Sequence, residues 1–146
     1  MKLFLALLAA TAFAMLPFAA SAVAQDKSLA SYRDKNRVLL VFAPSGKDAS
    51  YQEQMKLWRS EKAGFEDRQL VVLPVLADGK ASPGDEPGTL AKRYGADDKS
   101  FKLVLIGKDG HDAYSSGKPV TAESLYSRID AMPMRREEMK RQEAKE

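Results

Sequence analysis

The chain has 146 residues, 45% hydrophobic and 29% charged, with 23 Lys and Arg against 20 Asp and Glu, one His and no Cys. Without cysteine there is no disulfide, no thiolate metal site, no Cys nucleophile and no dithiol exchange. A net charge of +3 and a pI near 9.1 are too slight an excess to argue for nucleic acid, and the composition is that of a folded domain rather than a disordered chain.

Lys2 precedes an apolar run from Leu3 to Ala20, broken only by Thr11 and Pro17. Ala22-Val23-Ala24 meets the small-x-small rule, so residues 1–24 are predicted to be an export signal cleaved after Ala24. The expected address is periplasmic or secreted. The run is long enough to serve instead as an uncleaved membrane anchor, but Pro17 and the small residues favour cleavage. A lipid anchor would need a Cys after the signal, and there is none.

The remainder divides into a domain over 25–132 and a charged tail over 133–146. Ser28 to Lys35 suggests a short helix. Val38 to Ala43 is a continuous apolar run, the pattern of a strand buried on both faces. Pro44-Ser45-Gly46-Lys47-Asp48 breaks it. Tyr51, Met55 and Trp58 then follow a helical period, with Asp48 or Ser50 as N-cap, Ser50 and Glu53 as a capping box, and Gly64 as the residue closing the helix. Leu70 to Leu76 is a second strand, whose Pro74 marks a bulge or an edge. A Gly/Pro/Asp-rich loop over 77–88 leads to a short helix, Thr89 to Tyr94, closed by Gly95. Phe101 to Ile106 is a third strand, Asp109-Gly110 a tight turn, and His111 to Tyr114 a fourth strand. Thr121 caps a last helix with Leu125 and Ile129 on its buried side, interrupted by Pro133. The tail from Met134 carries five basic and four acidic residues and reads as a solvated helix.

The order is β-α-β-α-β-β-α, which predicts an α/β, thioredoxin-like fold: a four-stranded mixed sheet flanked by helices. The helix between the first two strands makes them parallel; the tight turn makes the last two antiparallel. A doubly wound flavodoxin-like sheet would need a fifth strand and no hairpin. In thioredoxins the redox motif lies between the first of these strands and its helix, where Ser45-Gly46-Lys47-Asp48 stands. The proline preceding the third strand in redox members is also missing, with Ser100-Phe101 in its place.

Four blocks carry a resemblance. Lys35 to Pro44, Asp67-Arg68 to Leu76, Val104 to Gly110, and Ile129-Asp130-Ala131-Met132-Pro133-Met134-Arg135-Arg136 followed by Glu137-Glu138-Met139 are similar to the domain-of-unknown-function family 4174. The resemblance implies a small exported bacterial protein with a thioredoxin-like fold. Related domains in vertebrate extracellular-matrix proteins imply adhesion or matrix contact. It implies no catalytic residue.

The candidate binding residues are Ser45, Gly46, Lys47 and Asp48. Free N–H groups of a helix start, with the Lys47 ammonium, suit an anion; Asp48 would claim those N–H groups first, and ordinary capping explains the same residues. Gly46-Lys47 lacks the remaining residues of a phosphate-binding loop. His111, next to a turn, is expected to be a surface residue. Asp78, Asp85 and Glu86 lack the alternation of a calcium loop. Tyr51, Met55 and Trp58 are expected in the core rather than in a ligand groove. Arg135, Arg136, Lys140, Arg141 and Lys145 are offset by the acidic residues among them.

The leading expectation is an exported, non-redox module binding an unidentified protein or envelope component, with no catalytic residue, metal, cofactor, nucleic acid or lipid anchor, and an oligomeric state left open. The alternative is a non-redox, hydrolase-type enzyme using carboxylates of the Asp78 loop with His111. A third reading is a structural surface protein marked by self-association or an exposed apolar patch.

Overall fold

The computed structural model describes residues 28–80 and 82–146; the expected export signal and its cleavage point lie outside them. A 3₁₀ turn, Leu29–Tyr32, stands where a short helix is expected. The elements that follow are β1 (Arg37–Ala43), α1 (Ala49–Leu57), α2 (Lys62–Asp67), β2 (Leu70–Leu76), α3 (Pro87–Arg93), β3 (Lys102–Ile106), β4 (Asp112–Ser116), α4 (Ala122–Asp130) and α5 (Pro133–Glu143).

The sheet order is β2-β1-β3-β4. β1 runs parallel to β2 and antiparallel to β3, and β3 runs antiparallel to β4. Residues 101–114 therefore form the hairpin that the Asp109-Gly110 turn implies. Gly110 has φ +85°, and the Gly107 N–H donates to the His111 carbonyl at 2.9 Å. All seven residues of β1 are buried, because it is a central strand with layers on both faces. β2 is an edge strand, the position that tolerates a proline, and its register with β1 runs unbroken past Pro74. The edge reading of Pro74 holds, with no bulge.

Two apolar clusters fill the layers. Leu39, Val41, Leu103 and Leu105 point to one side, against Trp58, Phe65, Leu125 and Ile129. Val38, Leu40, Phe42, Val104 and Ile106 point to the other, against Leu29 and Leu90. The alternation along each strand feeds both layers. Thr121 caps α4 as expected, accepting from the Ser124 N–H at 3.3 Å.

Two readings are corrected. Gly64 does not close the first helix. That helix ends at Leu57 with Trp58 at its cap, and Gly64 sits inside α2, followed by Gln69 at φ +48° before β2. The tail is helical, but it is not simply solvated: Arg135 is buried and Glu138 keeps only 13% of its side-chain surface.

Candidate functional site

Ser45 to Asp48 lie just past the C-terminal end of β1, where the chain enters α1. The loop is built by its own hydrogen bonds. Asp48 accepts from the Tyr51 N–H at 2.9 Å, so the carboxylate occupies the helix start. Ser45 Oγ accepts from the Lys47 N–H at 3.2 Å, and the Gln52 amide donates to the Gly46 carbonyl. The Pro44 carbonyl accepts from the Asp78 N–H at 3.2 Å, which ties the loop to the end of β2. Lys47 is exposed and enters no ion pair among the described residues. The edge thus presents an ammonium beside a carboxylate already engaged, with no sulfur.

The other candidates are scattered. Asp78 accepts from the Lys80 N–H at 3.0 Å, beyond the β2 end that pairs with Ala43. His111 follows Ile106, which pairs with Val38, and so lies at the opposite end of the sheet. Its side chain is 81% exposed and stands 3.6 Å from Asp109. Asp85 accepts from the Leu29 N–H at 2.6 Å, and Glu86 begins α3 without a side-chain capping bond. His111 and Asp109 do line a groove of about 230 Å³ with Met132, Pro133 and Met134, but no hydroxyl lines it. Trp58 is core, and Tyr51 and Met55 pack against it, as expected. No group of three potential metal ligands occurs among the described residues.

A polar constellation that the sequence reading missed lies at the N-terminal end of β1. Arg37, 1% exposed, makes a two-pronged bond to Glu138, with Nη1 3.1 Å from Oε2 and Nη2 3.2 Å from Oε1. Lys108 Nζ lies 2.5 Å from Glu138 Oε1 and also donates to the Gln69 side chain. Arg135 Nη2 lies 2.6 Å from Asp67 Oδ2, and its Nε lies 3.2 Å from Asp130 Oδ1. Arg68 completes the network on Asp130 at 2.7 Å. Burial works to raise the Glu138 pKa, but bonds from Arg37 and Lys108, with their charges, outweigh it and hold the carboxyl below its ordinary range. Asp130 is lowered in the same way, burial being overcome by Arg68 and Arg135. All seven charged groups fall within the four blocks that carried the resemblance; Ser45 to Asp48 fall in none. That coincidence was a usable signal. Charged residues look like solvated ones when a chain is read linearly, which hides it.

The comparisons with known proteins agree with this architecture. The family model described as "Domain of unknown function (DUF4174)" matches residues 28–138, ending at Glu138. The sushi repeat-containing protein SRPX of Rattus norvegicus is 27% identical over 120 residues, covering 76% of this chain and 26% of that protein; the Homo sapiens protein is 26% identical with the same coverage. The chain spans about a quarter of the length of these curated relatives. Among solved structures, the reduced 2-Cys peroxiredoxin of Plasmodium vivax superposes with a TM-score of 0.57 at 16% identity, covering 75% of this chain and 84% of that one. A putative thiol:disulfide interchange protein DsbE from Chlorobium tepidum gives 0.52 at 18% identity, covering 70% and 83%. At these identities the likeness shows the fold alone. It is the thioredoxin fold, on a chain without cysteine.

Proposed function

The chain belongs to the domain-of-unknown-function family DUF4174, and from that premise we propose that it is an exported, non-redox thioredoxin-fold module that binds a protein or another envelope component through Ser45, Gly46, Lys47 and Asp48. The observation that carries this reading is the loop after β1. It occupies the place where thioredoxins do their chemistry, yet it holds an exposed ammonium and a self-capped helix start in place of sulfur. Relatives in which a matching region forms about a quarter of a sushi repeat-containing protein support the idea of a domain used as a building block. Export rests on the Lys2 and Leu3–Ala20 pattern ending at Ala22-Val23-Ala24.

Affinity capture from an envelope extract tests it. Wild type is compared with Lys47→Ala, which leaves the cap intact, and with Lys47→Ala/Asp48→Ala. Circular dichroism checks that each bait is folded. The expected result is a protein retained by wild type and lost from both variants. Recovery of the same proteins by all three baits would remove the edge from consideration. Loss from the double variant alone would trace the effect to the cap rather than to contact through Lys47.

A further inference from the structure

We propose that α5 is a detachable strap, held over the N-terminal end of the sheet by a latch of ion pairs built on the buried cations Arg37, Lys108 and Arg135, and that it opens while the thioredoxin-fold core stays folded. The inference rests on the opposite end of the molecule from Ser45–Asp48 and does not depend on that site.

Three observations support it. First, α5 adds no residue to the buried apolar core, which ends in sequence at Ile129; its one buried residue is Arg135, and Met134 is 47% exposed. Met139 is half-buried, but no side chain of α5 packs against either apolar cluster, so the area-proportional apolar term is small here. Second, the joint is uncapped, although Met132 itself is half-buried against the core. Met132 gives α5 no side-chain capping bond, and Pro133 in its first turn prevents a continuous helix from α4. Third, the contacts that remain are polar and mostly ionic, with one bond from Arg135 Nη1 to the Asp67 carbonyl at 3.0 Å, and they come from separate elements. Glu138 faces Arg37 on β1, Lys108 on the β3–β4 turn, and Arg135 on its own helix at 3.8 Å. Asp130 on α4 faces Arg68 and Arg135; Asp67 on α2 faces Arg135, with Arg68 at 3.7 Å.

The physics separates opening from ordinary destabilisation. Neutralising one partner in place leaves cations buried without a counter-charge, which is costly. Swinging α5 away gives those cations back to water and avoids that cost. What it uncovers is a socket of Arg37 and Lys108 already shaped to a carboxylate. Glu138 and Asp130 titrate below their ordinary values when folded. The latch is thus fully closed above the ordinary carboxylate range and weakens as pH falls through the lowered values.

Hydrogen exchange on the full chain at neutral pH decides the matter, comparing wild type with Glu138→Gln and with Lys140→Ala. The last removes only the exposed Lys140–Glu137 pair. The expected result is protection of α5 in wild type, and exchange across 138–143 at least about 100-fold faster in Glu138→Gln, the scale of losing one partner of a buried pair. β1 and β3 keep their protection, and Lys140→Ala behaves as wild type. Four results would overturn the proposal: an α5 unprotected in wild type, an α5 unchanged in Glu138→Gln, equal acceleration by Lys140→Ala, or β1 losing protection together with α5. A Glu138→Gln chain that fails to fold counts with the last, because a separable strap leaves the core standing.

Discussion

A glycine inside a helix normally weakens it, and alanine there adds about 1 kcal/mol of propensity. Gly64 is different, because a Cβ built on it would run into the Tyr126 hydroxyl and lie 2.7 Å from Cζ. Tyr126 is fixed in turn: its hydroxyl donates to Glu61 at 2.6 Å, and Arg68 stacks on its ring at 3.9 Å. The clash outweighs the propensity. Gly64→Ala is expected to lower stability by about 1–3 kcal/mol, the usual cost of overpacking, read from urea unfolding; a stabilised variant would show that α2 and α4 are not in close contact there. Gln54 is the second such residue. It is fully buried, and its amide pairs with both backbone groups of Val120 at 2.8 Å. Gln54→Leu keeps the volume but strands two backbone groups, so a loss of about 2 kcal/mol or more is expected in the same assay. Neither residue stood out in the sequence. Gly64 looked like a helix terminus because nothing local shows the second helix resuming, and Gln54 lies between the apolar positions that define the stripe. Both are set by partners about 60 residues away.

At the scale of elements, legibility followed apolarity. The strands were readable because uninterrupted apolar runs have few alternatives, and their ends fall within two residues of those expected. α2 was missed because it is six residues long with a single buried side chain, Phe65. α5 is legible as a helix but not as a docked one, since pattern reading treats charge as exposure and the docking residues here are Arg135 and Glu138. The start of α1 gave two cap candidates, and the structure selects Asp48. Asp48→Ala should therefore cost about 1 kcal/mol, as the loss of an N-cap does. Ser50→Ala, whose side chain makes no capping bond, should change little. Thermal melts of the two variants check this, and equal effects would mean that the capping box is formed after all. This cap also sets a condition on the candidate site: a change at Asp48 is read as loss of contact only where Lys47→Ala acts alike.

For the whole molecule, the charged groups place opposite limits on stability. On the acid side, Asp130 and Glu138 have folded pKa values below their ordinary ones. Their contribution is complete above the ordinary carboxylate range and disappears as pH falls through the lowered values, because the unfolded chain takes up the protons first. On the alkaline side the sign reverses. Burial first, then the hydrogen bond and charge of Glu61, push the Tyr126 pKa from 10.0 up to about 12, with Arg68 working against them. An unfolded chain ionises Tyr126 near 10 while the folded one keeps it neutral, so its contribution is lost as pH rises from about 10 to about 12. Urea midpoints across pH should form a plateau with a fall at each end. Tyr126→Phe should reduce the alkaline fall and leave the acid one, with Tyr51 and Tyr94, which burial also raises, keeping a remainder, whereas Glu138→Gln should reduce the acid fall, Asp130 keeping the rest, and leave the alkaline one. Phenolate absorbance gives an independent reading, with one tyrosine titrating near 12 only while the protein is folded. An alkaline limb unmoved by Tyr126→Phe would mean that the contact of Tyr126 with Glu61 and Gly64 does not bind α4 to α2, and the packing argued for that face of the sheet would fail with it.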